Sequence, residues 1–200
     1  MSNTIGVWRF GPTWRWLGVA AVVQTAVLWT IIAQRQALLR DGKEIVLPVV
    51  PVDPRDLFRG DYVTLGYDLT PIKAMALDGR PSFDGLSKGA IAYVTLRQSV
   101  DDSWQVRSVS PRRPDRIDDG ELVMKGRVAY HFGAAGSPDE SIDVRFGIER
   151  YFVPEGTGAL LETKLRDKAI KALVAVGADG AAGIKGLLID GQRHEDPPLF

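Results

Sequence analysis

The chain of 200 residues contains no cysteine. That absence removes disulfides, thiolate metal sites and a cysteine nucleophile together. It leaves the compartment open, because a cysteine-free chain suits an oxidising or a reducing environment. Histidine is nearly as scarce. His131 and His194 stand alone in the sequence, and two isolated histidines make neither a zinc site nor a Ser-His-Asp arrangement. Charge of one sign is not in excess, with 25 Lys and Arg against 25 Asp and Glu. A basic groove for nucleic acid is therefore not expected, since neutralising phosphates needs surplus Lys and Arg. No P-loop and no dinucleotide-binding glycine turn occurs. Neither a cofactor nor a metal is expected.

A charge-free run, Trp16 to Ala33, is present instead. It is about 18 residues long, within the roughly 17–25 that cross a hydrocarbon core at 1.5 Å per residue. Trp8, Trp14 and Trp16 stand at one end of it, where an interfacial aromatic belt would sit. Gln34-Arg35-Gln36 follows without a small-x-small cleavage pattern, so an uncleaved signal-anchor is expected rather than a removed leader. Arg9 and Arg15 flank one side, and Arg35, Arg40 and Lys43 the other, so the positive-inside rule barely discriminates. A domain behind a single N-terminal anchor is commonly exported. The expected location is the inner membrane, with the soluble domain periplasmic or extracytoplasmic.

The pattern divides the chain into a flank (1–15), a transmembrane signal-anchor (16–33) in contact with the lipid bilayer, a polar helical extension (34–43) ending at Gly42, a β domain (44–192) and a frayed tail (193–200). Glu44 to Val52 reads as a strand, with Pro48 and Pro51 arguing for an edge or a bulged path. Tyr62 to Leu69 alternates, placing Val63, Leu65, Tyr67 and Leu69 on a core face. Ala90–Arg97 and Trp104–Val109 form an expected hairpin, and Glu121–Phe132 a long strand. Ile142, Val144, Phe146 and Ile148 share one face of a further strand. Thr157–Lys168 has the spacing of a short amphipathic helix. Ala169–Val176 and Ala182–Asp190 close the chain as a hairpin about Ala178-Asp179-Gly180. The fold class is mainly β, an N-terminal transmembrane helix followed by an antiparallel barrel or sandwich of roughly eight or nine strands with one short helix.

Two blocks carry a family resemblance. The first runs Pro51-Val52-Asp53-Pro54-Arg55-Asp56-Leu57-Phe58-Arg59-Gly60-Asp61-Tyr62-Val63-Thr64-Leu65-Gly66-Tyr67. It resembles the bacterial membrane-anchored family named for its Gly-Asp-Tyr-x-x-Leu-x-Tyr motif, and Gly60, Asp61, Tyr62, Leu65 and Tyr67 match every defined position. The second, Phe146-Gly147-Ile148-Glu149-Arg150-Tyr151-Phe152-Val153-Pro154-Glu155-Gly156, is similar to that family's other recurrent block. The closing Ile184 to Gly191 fits as well. The resemblance implies a membrane-anchored protein of a functionally uncharacterised family. Its members tend to be encoded near polytopic membrane proteins, which implies a membrane or envelope protein as partner.

The motif residues admit more than one role. Gly60-Asp61 suits an Asx-type turn at a strand start, with Arg59 pinning the loop to Asp56 or Glu149. An oxygen-only cation site or acid/base pair would need Asp53, Asp56, Asp61 and Glu149 or Glu155 to converge. The loop lacks the dense Asp/Asn spacing of calcium loops, and Arg55 and Arg59 oppose it. The strand also resembles a Gly-Asp strand of type I signal peptidases, which use a Ser nucleophile with a Lys base. Residues 44–58 hold no serine. Tyr62, Tyr67, Tyr151 and Phe152 are candidates for a groove and, more in keeping with strand aromatics, for core. His131 reads as a packing histidine. The expected function is a non-enzymatic interaction subunit of an envelope or membrane complex. The alternatives are an envelope hydrolase or metal-dependent enzyme built on Asp61, Glu149 and Glu155, or a binder of a small ligand inside the β domain.

Overall fold

The computed structural model describes residues 13–51, 62–77, 83–137, 139–152 and 170–195. The chain forms two units, residues 1–37 and 38–200. A single helix, α1 (Thr13–Asp41), contains the apolar run. Its mean hydropathy reaches 1.9 and none of that stretch is buried inside the chain. By length and composition it is able to cross a membrane. The helix ends as Gly42 N–H donates to Leu38 O at 3.0 Å. A Cβ on Gly42 would lie 2.5 Å from that oxygen and 3.1 Å from Ala175 Cβ, so the exit requires glycine.

Eleven strands follow among the described residues: β1 (Lys43–Pro51), β2 (Tyr62–Tyr67), β3 (Ile72–Lys73), β4 (Ile91–Gln98), β5 (Trp104–Ser110), β6 (Glu121–Phe132), β7 (Ser141–Arg145), β8 (Arg150–Phe152), β9 (Ile170–Val176), β10 (Ala182–Ile189) and β11 (Gln192–Glu195). They form a six-stranded sheet in the order β11-β10-β9-β1-β2-β8 and a five-stranded sheet in the order β3-β7-β6-β4-β5. Every registered pair is antiparallel. Alternating side chains from both sheets fill one core, with Ile45 and Leu47 of β1 in the same cluster as Val94, Leu96 and Met124 of the other sheet. The expected short helix at 157–168 lies outside the described residues.

The two sheets are stitched together as a nearly closed barrel. Lys125 N–H of β6 donates to Gly180 O in the β9–β10 turn at 2.7 Å. Gly180 has φ +86°, and a Cβ there would sit 3.2 Å from Lys125 N and Val123 O, so the turn lies directly on the β6 backbone. Lys43 at the start of β1 lies over the Trp104 ring of β5, 5.3 Å from its centroid. Gly126 marks another close approach, since a Cβ would fall 2.4 Å from Val144 Cγ1 and 2.9 Å from Arg145 O.

Two sequence expectations are corrected. β1 is not an edge strand, for it stands between β9 and β2. Its prolines are tolerated because the strand changes partner: Lys43 to Pro48 pair with β9, and Val49 to Pro51 pair with β2. No β1 residue has a registered neighbour on both sides, so a missing proline N–H can face an unladdered flank. The expected frayed tail from residue 193 also fails in part, because Gln192 to Glu195 form β11 on β10. Charge provides the reason. Glu44 of β1 accepts from Lys185 Nζ of β10 at 2.8 Å and from Arg193 Nη2 of β11 at 2.6 Å. His194 therefore lies on a strand and not in a loose end.

The Glu44 carboxyl is held below its ordinary value of 4.5 first by the Arg193 hydrogen bond and then by Lys185. A depressed carboxyl contributes stability above its unfolded pKa and loses it as pH falls through the folded one. Glu44→Gln is therefore expected to lower stability at pH 7 by no more than about 1 kcal/mol. The gap to the wild type should close as urea melts are repeated below pH 4.5. Gly126→Ala forces Val144 and the β7 backbone aside and is expected to cost about 1–3 kcal/mol in the same melts.

Candidate functional site: the motif corner

The motif strand and the second block meet at a corner where two strands change sheets together. β2 belongs to the six-stranded sheet, and the chain then continues into β3 of the five-stranded one. Antiparallel to it, β7 of the five-stranded sheet continues into β8 of the six-stranded one. Tyr62 pairs with Phe152 and Thr64 with Arg150 on one side of the corner. Ile72 pairs with Ile142 and Lys73 with Ser141 on the other. Partner numbers total 214 on every one of these rungs, so both segments spend equal numbers of residues on the bend.

Such a bend exposes backbone groups to desolvation without a ladder partner. Side chains from both blocks meet that need. Leu65 N–H donates to Glu149 O at 2.9 Å, keeping the register between the two pairings. Tyr67 Oη donates to Ile148 O at 2.7 Å in a buried contact. The Glu149 carboxylate accepts from Phe146 N–H at 2.6 Å and from Gly147 N–H at 3.0 Å. Gly147 has φ +80°, a left-handed conformation that suits glycine and turns its N–H back on the carboxylate. Leu65, Tyr67, Phe146 and Ile148 are all buried there. Burial pushes the Tyr67 phenol well above its ordinary pKa, and the nearby Glu149 charge pushes it further in the same direction. The phenol therefore remains a proton donor at any physiological pH.

Of the residues singled out in sequence, the corner brings Tyr62, Leu65, Tyr67, Glu149, Tyr151 and Phe152 into one ladder. Tyr67 is core, Tyr151 is half-buried against the core, and Phe152 is 74% exposed at the end of β8. Arg59, Gly60, Asp61, Pro154, Glu155 and Gly156 lie outside the described residues, as do Asp53 and Asp56. Among the described residues no group of three His, Asp or Glu is placed to hold a metal ion.

Other polar centres gave no warning in the sequence. Glu140 is 1% exposed. His131 Nε2 lies 2.8 Å from its Oε1, and Gly136 N–H donates to its Oε2 at 2.7 Å. Phe83 meets His131 edge-on at 6.0 Å, so this histidine is a packing group with a satisfied ring nitrogen. Glu121, also buried, accepts from Arg97 at 3.0 Å and from Arg107, which in turn reaches Asp118 at 2.9 Å. Such carboxylates were illegible because their side-chain partners are 9 to 24 positions away and lie on other strands. An open cavity of about 430 Å³ lies between the end of α1, the start of β6 and the loop after β5, lined by Asp41, Lys43, Arg113, Ile117, Glu121 and Val176 among others. None of the described motif residues lines it.

The architecture defines a class first: an apolar N-terminal helix joined to an antiparallel β domain, closed by a corner built from two distant blocks. The particular family follows. The family described as GDYXXLXY protein matches residues 24–187, and the chain belongs to that family. No curated protein and no solved structure matches significantly.

Tyr67→Phe removes the donor and leaves the Ile148 carbonyl buried without it. The variant is expected to lose about 1–3 kcal/mol. Its urea midpoint should fall while the slope stays unchanged, which separates a local loss from an altered denatured state.

Proposed function

We propose that this protein is a single-pass inner-membrane protein whose β domain lies on the extracytoplasmic side and binds another membrane or envelope protein, without catalysis of its own. The observation that carries this reading is the use to which the motif is put. Tyr67 and Glu149, its most chemically capable described residues, both spend their polar atoms on backbone groups of the corner. A general acid or base needs a group free to exchange a proton with substrate, and a carboxylate holding two backbone N–H groups is poorly placed for that. A ligand chamber inside the β domain is disfavoured by the interior side chains, among them Leu96, Met124, Ile142 and Ile148, packed in one cluster. Membrane attachment is supported by the length and composition of α1.

The surface proposed for the partner is the outer side of the corner. Phe152 stands exposed there on β8, last in the strand order of the six-stranded sheet. Exposed aromatics on a rigid element are favourable anchors for a protein partner.

The test has two arms. A phosphatase fused after Phe200 is expected to be active and a cytoplasmic reporter at the same place inactive; the reverse pattern would place the domain in the cytoplasm. A photo-crosslinker at position 152 is expected to trap one discrete membrane or envelope protein in native membranes. The same probe at Val100, exposed in the β4–β5 turn, should not trap it. Equal capture from both positions would overturn the assigned surface.

A further inference from the structure

Within Trp16 to Ala33, three side chains other than tryptophan are polar: Gln24, Thr25 and Thr30. The two threonines satisfy themselves. Thr25 Oγ1 donates to Ala21 O at 2.9 Å and Thr30 Oγ1 to Ala26 O at 2.8 Å. Gln24 makes no such bond. Its exposed carboxamide, two donors and an acceptor oxygen, projects from α1 at the ninth position of the run. The backbone N–H groups around it are used within the helix, so its acceptor oxygen finds no donor there.

In water this arrangement is harmless. In hydrocarbon it is costly, since an amide buried without hydrogen bonds loses several kcal/mol of solvation. A glutamine is also too short to reach the headgroups from mid-span, roughly 15 Å away. Ala20 and Ala21 lie one turn before Gln24 on the same side, and small residues let a second backbone approach closely.

We infer that α1 pairs, inside the bilayer, with the α1 of a second copy of this chain, through reciprocal hydrogen bonds between the two Gln24 carboxamides. The inference rests on the membrane-anchored reading above. A second copy is the occupant because every copy inserts in the same sense. Parallel copies bring Gln24 to the same depth automatically, and a carboxamide both donates and accepts, so the pair is complementary across a two-fold axis. The apolar run carries no charge, so nothing in it opposes that approach.

The absence of native cysteine makes the test direct, because any introduced cysteine is the only thiol in the chain. Ala20→Cys is on the Gln24 side of the helix and Ala26→Cys on the far side, at 100° per residue. Each is made in the full-length chain, with Gln24 and with Gln24→Leu, and oxidised in native membranes. The expected result is a disulfide-linked homodimer from Ala20→Cys, little from Ala26→Cys, and association weakened roughly 3- to 30-fold by Gln24→Leu. Gln24→Leu makes the span more apolar, so it should remain in the membrane. A membrane-bound chain that gives no homodimer, links equally from both faces, links only to another protein, or is indifferent to Gln24→Leu overturns the pairing and leaves the anchor standing. Recovery of the wild-type chain in the soluble fraction overturns the anchor and the pairing together.

Discussion

The Tyr67–Ile148 hydrogen bond is the constraint on which the β domain turns. It spans 81 positions of sequence and lies at the bend where two antiparallel segments leave one sheet for the other. A bend of that kind desolvates carbonyls and amides that no ladder partner can reach. Without a donor at that place, the corner would either admit water to the core or carry an unsatisfied carbonyl. A tyrosine suits the task because its ring adds apolar bulk to the core while the hydroxyl remains available at the ring's far end. Glu149 completes the arrangement from the opposite segment by taking up two further N–H groups. The constant register on both sides of the bend then follows from the Leu65 to Glu149 bond between them.

The remainder of the barrel is arranged around that corner by a few tight contacts rather than by long uninterrupted ladders. β1 serves two neighbours in succession, which lets its prolines stand inside a sheet. Gly180 allows the β9–β10 turn to sit on β6, and Glu44 ties the outermost strands back to β1. Each contact joins elements remote in sequence, so the fold depends on non-local pairing throughout, with slow folding as the usual consequence of such topology.

The apolar helix and the β domain divide the labour in a way that fits an anchored interaction module. The β domain spends its distinctive side chains on internal order and leaves Phe152 outside. The apolar run leaves one polar side chain other than tryptophan, Gln24, without an internal hydrogen bond. Phe152 is exposed on the β domain, and Gln24 is exposed on the helix.

Much of this was readable in advance, for local reasons. A charge-free run long enough to span needs no partner to be recognised, and the burial of Leu65, Tyr67 and Leu69 follows from alternation alone. Ile142, Val144, Phe146 and Ile148 were legible the same way, as were the hairpin turns with their Gly and Asp residues. Other features were decided only in three dimensions. Pro48 and Pro51 argued for an edge or a bulged path, yet β1 stands between two strands and tolerates them by changing partner along its length. His194 stood in an expected loose tail and is indeed exposed, but Glu44 on a distant strand binds Arg193 beside it and helps hold that segment as a strand. Nothing along the chain marked Glu140 and Glu121 as buried carboxylates. Neighbours along the chain determine periodicity, turns and the membrane run. Partners for a buried polar atom come from whichever strand the topology brings beside it, and only the assembled sheets determine which strand that is.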